Sequence, residues 1–218
     1  MNMQHVSFGA REQELFDQFA AQEQLNDTQK AQFKTYLLLL LEWMEKINLT
    51  AITSVEDIIH FHFQDSLAIG QFMDFAAVKS IGDIGTGAGF PGIPLKIKYP
   101  HLAVTLIEVN HKKIAFLHLV IDELGLTDVQ TNDLDWRTFL RKTTYDIDLF
   151  VSRAALAPDE LTRLYRSNCH YKNARLVYWA STKWAPTEKE ADLIEKELSY
   201  KIDNKIRKFI FFQKNDIY

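Results

Sequence analysis

Apolar positions recur at two spacings along this chain, and the spacing changes near Val78. Between about Arg11 and Ala77 they fall three or four residues apart: Leu15, Phe16 and Phe19, then Phe33, Tyr36, Leu37, Leu40, Leu41 and Met44. That repeat predicts amphipathic helices, and Asn26 or Asp27 is placed to cap the second by accepting a backbone N–H. A third helix is predicted from about Val55 to Phe75, with Ile58, Ile59, Phe63, Leu67 and Ile69 inward. No strand alternation interrupts this block. With no Pro/Gly-rich linker near Ala77, residues 1–77 are expected to form a helical cap packed on residues 78–218.

After Val78 the pattern becomes strand–helix alternation. Strands are predicted at Ser80–Ile84, Ala103–Glu108, Val129–Asn132, Ile147–Ser152 and Arg175–Ala180, and a final pair at Leu198–Ile202 and Ile206–Gln213. Helices are predicted from Pro91 to about Tyr99, at Lys112–Leu124 closed by Gly125, over a short Leu134–Arg141, and at Pro158–Cys169 and Thr187–Glu197. Alternating units of this kind imply an α/β fold: a Rossmann-like, mostly parallel sheet with helices on both faces, plus the N-terminal helical segment.

The first strand leads into Asp83-Ile84-Gly85-Thr86-Gly87-Ala88-Gly89-Phe90-Pro91-Gly92. Residues without a Cβ let such a loop turn sharply and bring backbone amides against a ligand. Gly87, Gly89 and Gly92 fit a dinucleotide fingerprint, whereas Gly85, Gly87 and Gly89 with Asp83 upstream fit the loop that holds S-adenosylmethionine (SAM). Charge separates the two. SAM carries a sulfonium and an ammonium against one carboxylate, which suits an acid at the strand tip; a pyrophosphate would be repelled there. Pro91 and Pro94 also remove N–H donors from the turn where a pyrophosphate would need them. SAM is therefore the expected cofactor.

Ligands of such sheets lie at the carboxyl ends of the strands. Glu108, 19 residues past Gly89, ends the second strand and could accept hydrogen bonds from both ribose hydroxyls; the alternative is a solvated carboxylate. Leu134 and Asp135 follow the third strand and suit an adenine ring and its amino group. Arg153 ends the fourth, where it could bind a substrate phosphate or the cofactor carboxylate, or form a salt bridge within the fold.

Composition narrows the chemistry. At 218 residues the chain can bury a full core, and its single cysteine, Cys169, excludes an intrachain disulfide or a multi-cysteine metal site; no metal is expected. Met1–Ala20 lacks the apolar core of a signal peptide, and the run Tyr36–Leu41 is too short to cross a bilayer, so a cytoplasmic protein is expected. Net charge is −4, yet residues 1–70 hold four Lys/Arg against ten Asp/Glu while the remainder is slightly basic. Such a chain is no general nucleic-acid coat, and an RNA substrate would require a local basic face. No coiled-coil seam is left over, so a monomer is expected.

The fourth strand also lacks the Asn/Asp-Pro-Pro-aromatic signature of exocyclic-amine methylation, and Cys169 is too far along the chain to add to a pyrimidine ring. An acceptor with an available lone pair needs neither, and guanine N7 is one.

Asn48-Leu49-Thr50, His62 with Asp65-Ser66-Leu67, Asp83 through Pro94, Lys112-Lys113 with Phe116-Leu117, and Ser152-Arg153-Ala154 together carry a resemblance. From about Tyr36 to the C-terminal strands the chain resembles the bacterial small-subunit (16S) rRNA guanine-N7 methyltransferases, the RsmG or GidB family. The resemblance implies a class I SAM-dependent methyltransferase fold, with SAM contacts at Gly85, Phe90, Leu134, Asp135 and Arg153. It implies one guanine of small-subunit rRNA near the decoding region as substrate, within the RNA or the assembled subunit; with the N7 lone pair as nucleophile, no general base is expected. Lys112 and Lys113 would then orient RNA with Arg153, or else be ordinary solvated helix charges. The chain departs from the family at Met44, at Phe61 where Arg is usual, and at Trp179-Ala180-Ser181-Thr182-Lys183, positions expected to face RNA or the pocket rim. These departures keep two alternatives open: another RNA or small-molecule acceptor, or a ribosome-associated SAM binder without turnover.

Overall fold

The computed structural model describes residues 9–47, 49, 52–153 and 155–213; Asn48, Thr50 and Ala154 of the family motifs lie outside the described residues. Seven strands form one sheet in the order β3-β2-β1-β4-β5-β7-β6. They are β1 Ser80–Ile84, β2 Ala103–Ile107, β3 Val129–Asn132, β4 Leu149–Arg153, β5 Arg175–Ser181, β6 Ile194–Ile202 and β7 Lys205–Phe212. The first five pair in parallel, and β7 joins β5 antiparallel and carries β6 on its outer edge. The strand period of two sorts the core: Leu149, Val151, Val177, Trp179, Phe209 and Phe211 enter one apolar cluster. Phe150, Leu176, Ile210 and Phe212, which alternate with them, enter the cluster on the opposite face.

The N-terminal helices share the first of these clusters. Phe16, Phe19, Phe33, Tyr36 and Phe63 lie in it together with Ile81, Val104 and Val151 of the sheet. The helix Asp27–Met44 starts as its sequence predicts: Asn26 accepts from the Gln29 N–H, and Gln29 returns the bond to the Asn26 N–H. Gln29 Nε2 also donates to the carbonyls of Ile97 and Lys98, which the ending helix Gly92–Lys98 leaves unpaired. One side chain thus caps a second helix across the interface.

Three predicted helices are shorter than their periodicity implied. The segment expected to run from Val55 to Phe75 is helical only through Leu67, with a π-helical stretch at Ile59–Gln64, and then tightens into the 3₁₀ turns Ala68–Gln71 and Phe75–Ala77. Gly70, a poor helix former, sits where the helix gives way. Pro158–Leu161 is followed by a 3₁₀ turn rather than a helix to Cys169, because the chain bends to bury Leu164 and Tyr165, whose hydroxyl donates to the Phe212 carbonyl. Cys169 is buried. Helix in the Thr187–Glu197 region is limited to Glu188–Ala191; from Ile194 the chain is strand, because β7 supplies a ladder along its whole length.

Candidate functional site

The strand order reverses between β1 and β4, so the crossovers diverge there and leave a crevice at the carboxyl ends of the strands. The glycine loop fills its floor. Gly85 and Thr86 both donate to the Ile107 carbonyl, at 2.9 and 3.1 Å, tying the loop to β2. Gly85, Gly87 and Gly89 all have positive φ, at 65°, 63° and 104°. A Cβ at Gly89 would fall 2.6 Å from Ile93 Cγ1 and 2.7 Å from Tyr36 Oη, whereas one at Gly87 meets nothing within 4 Å. The loop is therefore packed on its Gly89 side and open at Gly87.

Asp83 is fully buried beneath this loop. Its Oδ2 accepts from Thr86 Oγ1 at 2.6 Å and from the Gly92 N–H at 2.7 Å, while Oδ1 is buried without a hydrogen-bond partner among the described residues. Burial pushes its carboxyl up to about 6, against the opposing pull of Thr86, Gly92 and Arg153. Because the folded value is raised, the unfolded chain releases this proton first as pH rises, and the folded state loses stability between about pH 4 and pH 6. A shift of this size corresponds to roughly 3 kcal/mol. Asp83→Asn is expected to remove that loss, so urea midpoints of the two proteins should diverge across this window; parallel pH profiles would refute it.

Glu108, just past β2, is 8% exposed and binds two backbone amides: Oε2 accepts from Gly87 at 3.0 Å and Oε1 from Asn110 at 2.9 Å. Each oxygen keeps a further lone pair. Asn110 in turn caps the helix His111–Glu123 by accepting from the N–H groups of Lys112 and Lys113. Lys113 lines the pocket above the glycine loop, and Lys112 is exposed. Leu134 is half-buried, and exposed Asp135 caps the helix Trp136–Lys142 through the Thr138 N–H. Both stand beyond β3, and neither lines that pocket.

Arg153, at the end of β4, is held by the π-helical segment. Its Nη1 donates to the Phe61 carbonyl and to Asp65 Oδ2, both at 3.0 Å, and its Nη2 donates to His62 Nδ1 at 2.9 Å. The salt bridge within the fold, the alternative raised by the sequence, is therefore present. The same guanidinium lies 5.1 Å from the Phe90 ring centre, and His62 stacks on Phe90 at 4.3 Å. Burial and the nearby Arg153 and Arg207 push the His62 imidazole down to about 3, so it stays neutral. Phe61, His62, Gly87, Phe90, Lys113 and Arg153 face one cavity of about 440 Å³.

Asp65 organises this wall, a role that the sequence reading did not assign to it. It is fully buried and binds Arg153, accepts from Tyr200 Oη at 2.8 Å and pairs with Arg207 at 3.4 Å, while Trp179 Nε1 donates to its carbonyl at 3.0 Å. Side chains from β4, β5, β6 and β7 thus converge on one carboxylate residue. Two signals were available: an acid between the inward apolar positions Phe63 and Leu67, and Arg207 at the same strand parity as the inward Phe209 and Phe211.

The GidB family model, described as rRNA small subunit methyltransferase G, matches residues 29–214. The chain belongs to the GidB family. A curated relative from Staphylococcus aureus (strain Newman), named ribosomal RNA small subunit methyltransferase G, is 52% identical over 106 residues, 49% of this chain and 44% of the relative. Its namesake from Staphylococcus haemolyticus (strain JCSC1435) is 45% identical over 127 residues, 57% of this chain and 53% of that one. The chain spans about half the length of the curated relatives it matches. Among solved structures, M. capricolum TrmK in complex with S-adenosyl-homocysteine superposes with a TM-score of 0.54 at 18% identity, covering 69% of this chain and 68% of that chain. The putative methyltransferase yhhF from Escherichia coli gives 0.51 at 14% identity over 70% and 86%. The fold is that of the class I SAM-dependent methyltransferases.

This GidB chain departs from its family at Phe61, at Trp179 and at Met44. Phe61 lines the pocket, and the Lys205 ammonium sits 3.6 Å from its ring centre, so a cation still stands at that rim. Trp179, expected at the rim, is instead buried against Phe209 at the back of Asp65. Met44 is half-buried against the core of the helical block.

Proposed function

We propose that this chain is a SAM-dependent methyltransferase acting on N7 of a guanine in small-subunit (16S) rRNA. The observation that carries the reading is the glycine loop, seated at the strand reversal between Asp83 and Glu108 with Arg153 opposite, in a chain of the GidB family. Two features fit SAM. Asp83 Oδ1 is a buried acceptor without a partner among the described residues, suited to an ammonium, and the space over Gly87 is open to a ligand. Gly85, Gly87 and Phe90 would form the floor, with Gly89 packed behind it to hold the loop in shape, Glu108 would accept from the ribose, and Leu134 and Asp135 would hold the adenine. When bound, SAM supplies an electrophilic methyl group on its sulfonium.

What these residues must do for the acceptor follows from its chemistry. Guanine N7 presents an in-plane lone pair and carries no proton to remove, so a general base is dispensable and the work is alignment. Arg153 provides a fixed cation because Asp65, Phe61 and His62 hold its guanidinium in place. Lys112, Lys113 and Arg207 add positive charge around the mouth, which favours the approach of a phosphate backbone. Residues 1–77 serve as the cap that delivers this wall. The enzyme acts as a monomer in the cytoplasm, on the RNA within the small ribosomal subunit; no helix among the described residues is long and apolar enough to cross a membrane.

The test is transfer of labelled methyl from SAM to small ribosomal subunits that lack the modification, with nuclease digestion and mass spectrometry of the product. Label on N7 of one guanine is the expected outcome. SAM binding without transfer to subunits, to free rRNA or to small acceptors would instead favour the binder without turnover.

A further inference from the structure

A second, larger cavity of about 800 Å³ lies outside the pocket just described, between the helix Trp136–Lys142 and the segment that begins at Pro158. Four guanidinium side chains line it: Arg137, Arg141, Arg163 and Arg166. Among the described residues, its ion pairs engage only two of them. Glu160 accepts from Arg137 Nε and Nη2 at 2.8 and 2.6 Å, and pairs with Arg163 at 2.7 Å. Arg141 and Arg166 are exposed to solvent; Arg141 donates to Thr138 Oγ1 and its charge acts on Asp135, which also lines the groove. Four guanidinium groups against the carboxylates of Glu160 and Asp135 leave the groove positive, in a chain whose net charge is −4.

The groove is also built rather than incidental. The Glu160 clip ties its two walls together, and Trp136 Nε1 donates to the Glu160 carbonyl at 2.8 Å. Its floor and rim add hydroxyl and amide groups, Thr144 and Asn168, of the kind that accompany arginines on phosphates. A planar guanidinium matches two phosphate oxygens at once and stays charged at every working pH. Asp135 lies on the rim, so on the reading above the groove adjoins the adenine end of the cofactor site.

We propose that this groove binds the phosphate backbone of RNA, as a second contact surface separate from the methyl-transfer pocket. The proposal rests on the reading of the chain as an RNA enzyme. Arg141 and Arg166 are its solvent-exposed cations, and Arg137 and Arg163 are the ones that Glu160 holds. It supplies the local basic face that an acidic chain needs to hold a polyanion.

The test compares Arg141→Glu/Arg166→Glu with Lys30→Glu/Lys34→Glu, a reversal of the same size on the helix Asp27–Met44. The probe is a transcript of small-subunit rRNA, with binding measured from 0.05 to 0.5 M salt. Each phosphate contact contributes roughly 0.7–0.9 to the slope of log affinity against log salt. The arginine pair is expected to lose about 1.5 of slope and on the order of tenfold or more in affinity at 0.1 M salt, with unchanged SAM affinity and thermal midpoint. Arg141→Lys/Arg166→Lys should keep most of the slope, and Arg141→Gln/Arg166→Gln provides a neutral version should the reversal misfold. Unchanged RNA affinity in the arginine pair overturns the proposal, as does an equal loss in the lysine pair. Methyl transfer by the wild-type protein is scored separately: transfer with an indifferent groove removes this inference alone, and no transfer removes the enzymatic reading.

Discussion

Asp65→Ala should lower folding stability by about 3–5 kcal/mol, because it leaves buried cations without their counter-ion. The Arg153 side chain is 10% exposed and Asp65 is its only ion-pair partner among the described residues; Arg207, at 28%, pairs with the same oxygen. Tyr200 Oη would lose its acceptor as well, in a setting where burial already holds the phenol well above its usual range. Asp65→Asn keeps an acceptor and the shape but not the charge, so it should cost less. Urea unfolding followed by tryptophan fluorescence reads both, since Trp179 lies against the Asp65 backbone. Wild-type midpoints for Asp65→Ala would show that the two arginines are solvated in spite of their depth. The same variant should weaken methyl transfer more than SAM binding, because it frees Arg153 without touching the glycine loop.

The second large effect separates stability from ligand binding within one loop. Gly89→Ala is expected to cost on the order of 2–4 kcal/mol, combining the left-handed backbone with overpacking. Its methyl group would press on Ile93 and on Tyr36 Oη, and Tyr36 cannot retreat: it is fully buried, with its hydroxyl donating to the Ala88 carbonyl at 2.5 Å. Gly87→Ala pays only the backbone term, roughly 1–2 kcal/mol, or a few degrees of thermal midpoint in a chain of this size. Its methyl group enters open space, where the proposed cofactor would lie. Titration calorimetry should therefore show SAM affinity falling at least tenfold, about 1.4 kcal/mol, for Gly87→Ala while the fold survives. Undiminished affinity would place the cofactor elsewhere.

Much of the architecture was legible because burial patterns are local. Ser80–Ile84 and Val129–Asn132 are strands at the predicted bounds, and the Asn26 cap and the Gly125 stop are where the sequence puts them. The misread elements failed where partners or backbone geometry that the local pattern does not carry took over. Glu- and Lys-rich Ile194–Glu197 has helical propensity, but β7 offers it a ladder, with one bulge between Ile194 and Lys196, and pairing overrides propensity. The residues Val55–Phe75 show helical periodicity that does not register a π-helical stretch, yet that stretch brings both Phe61 and His62 to the pocket wall.

The candidate site divides along the same line. Sequence by itself determined the acidic strand tip, the three glycines, the acid after β2 and the membership of a methyltransferase family, because these depend on the order of residues over a few turns of chain. Only the tertiary structure decided what each group does: that Asp83 turns one oxygen into the loop and leaves the other unpaired among the described residues, and that Glu108 clasps Gly87 from the next strand. It also decided that Arg153 and Arg207, 54 positions apart, share the carboxylate of Asp65. A carboxylate's partners are set by which strands lie side by side, and strand order is a property of the folded chain.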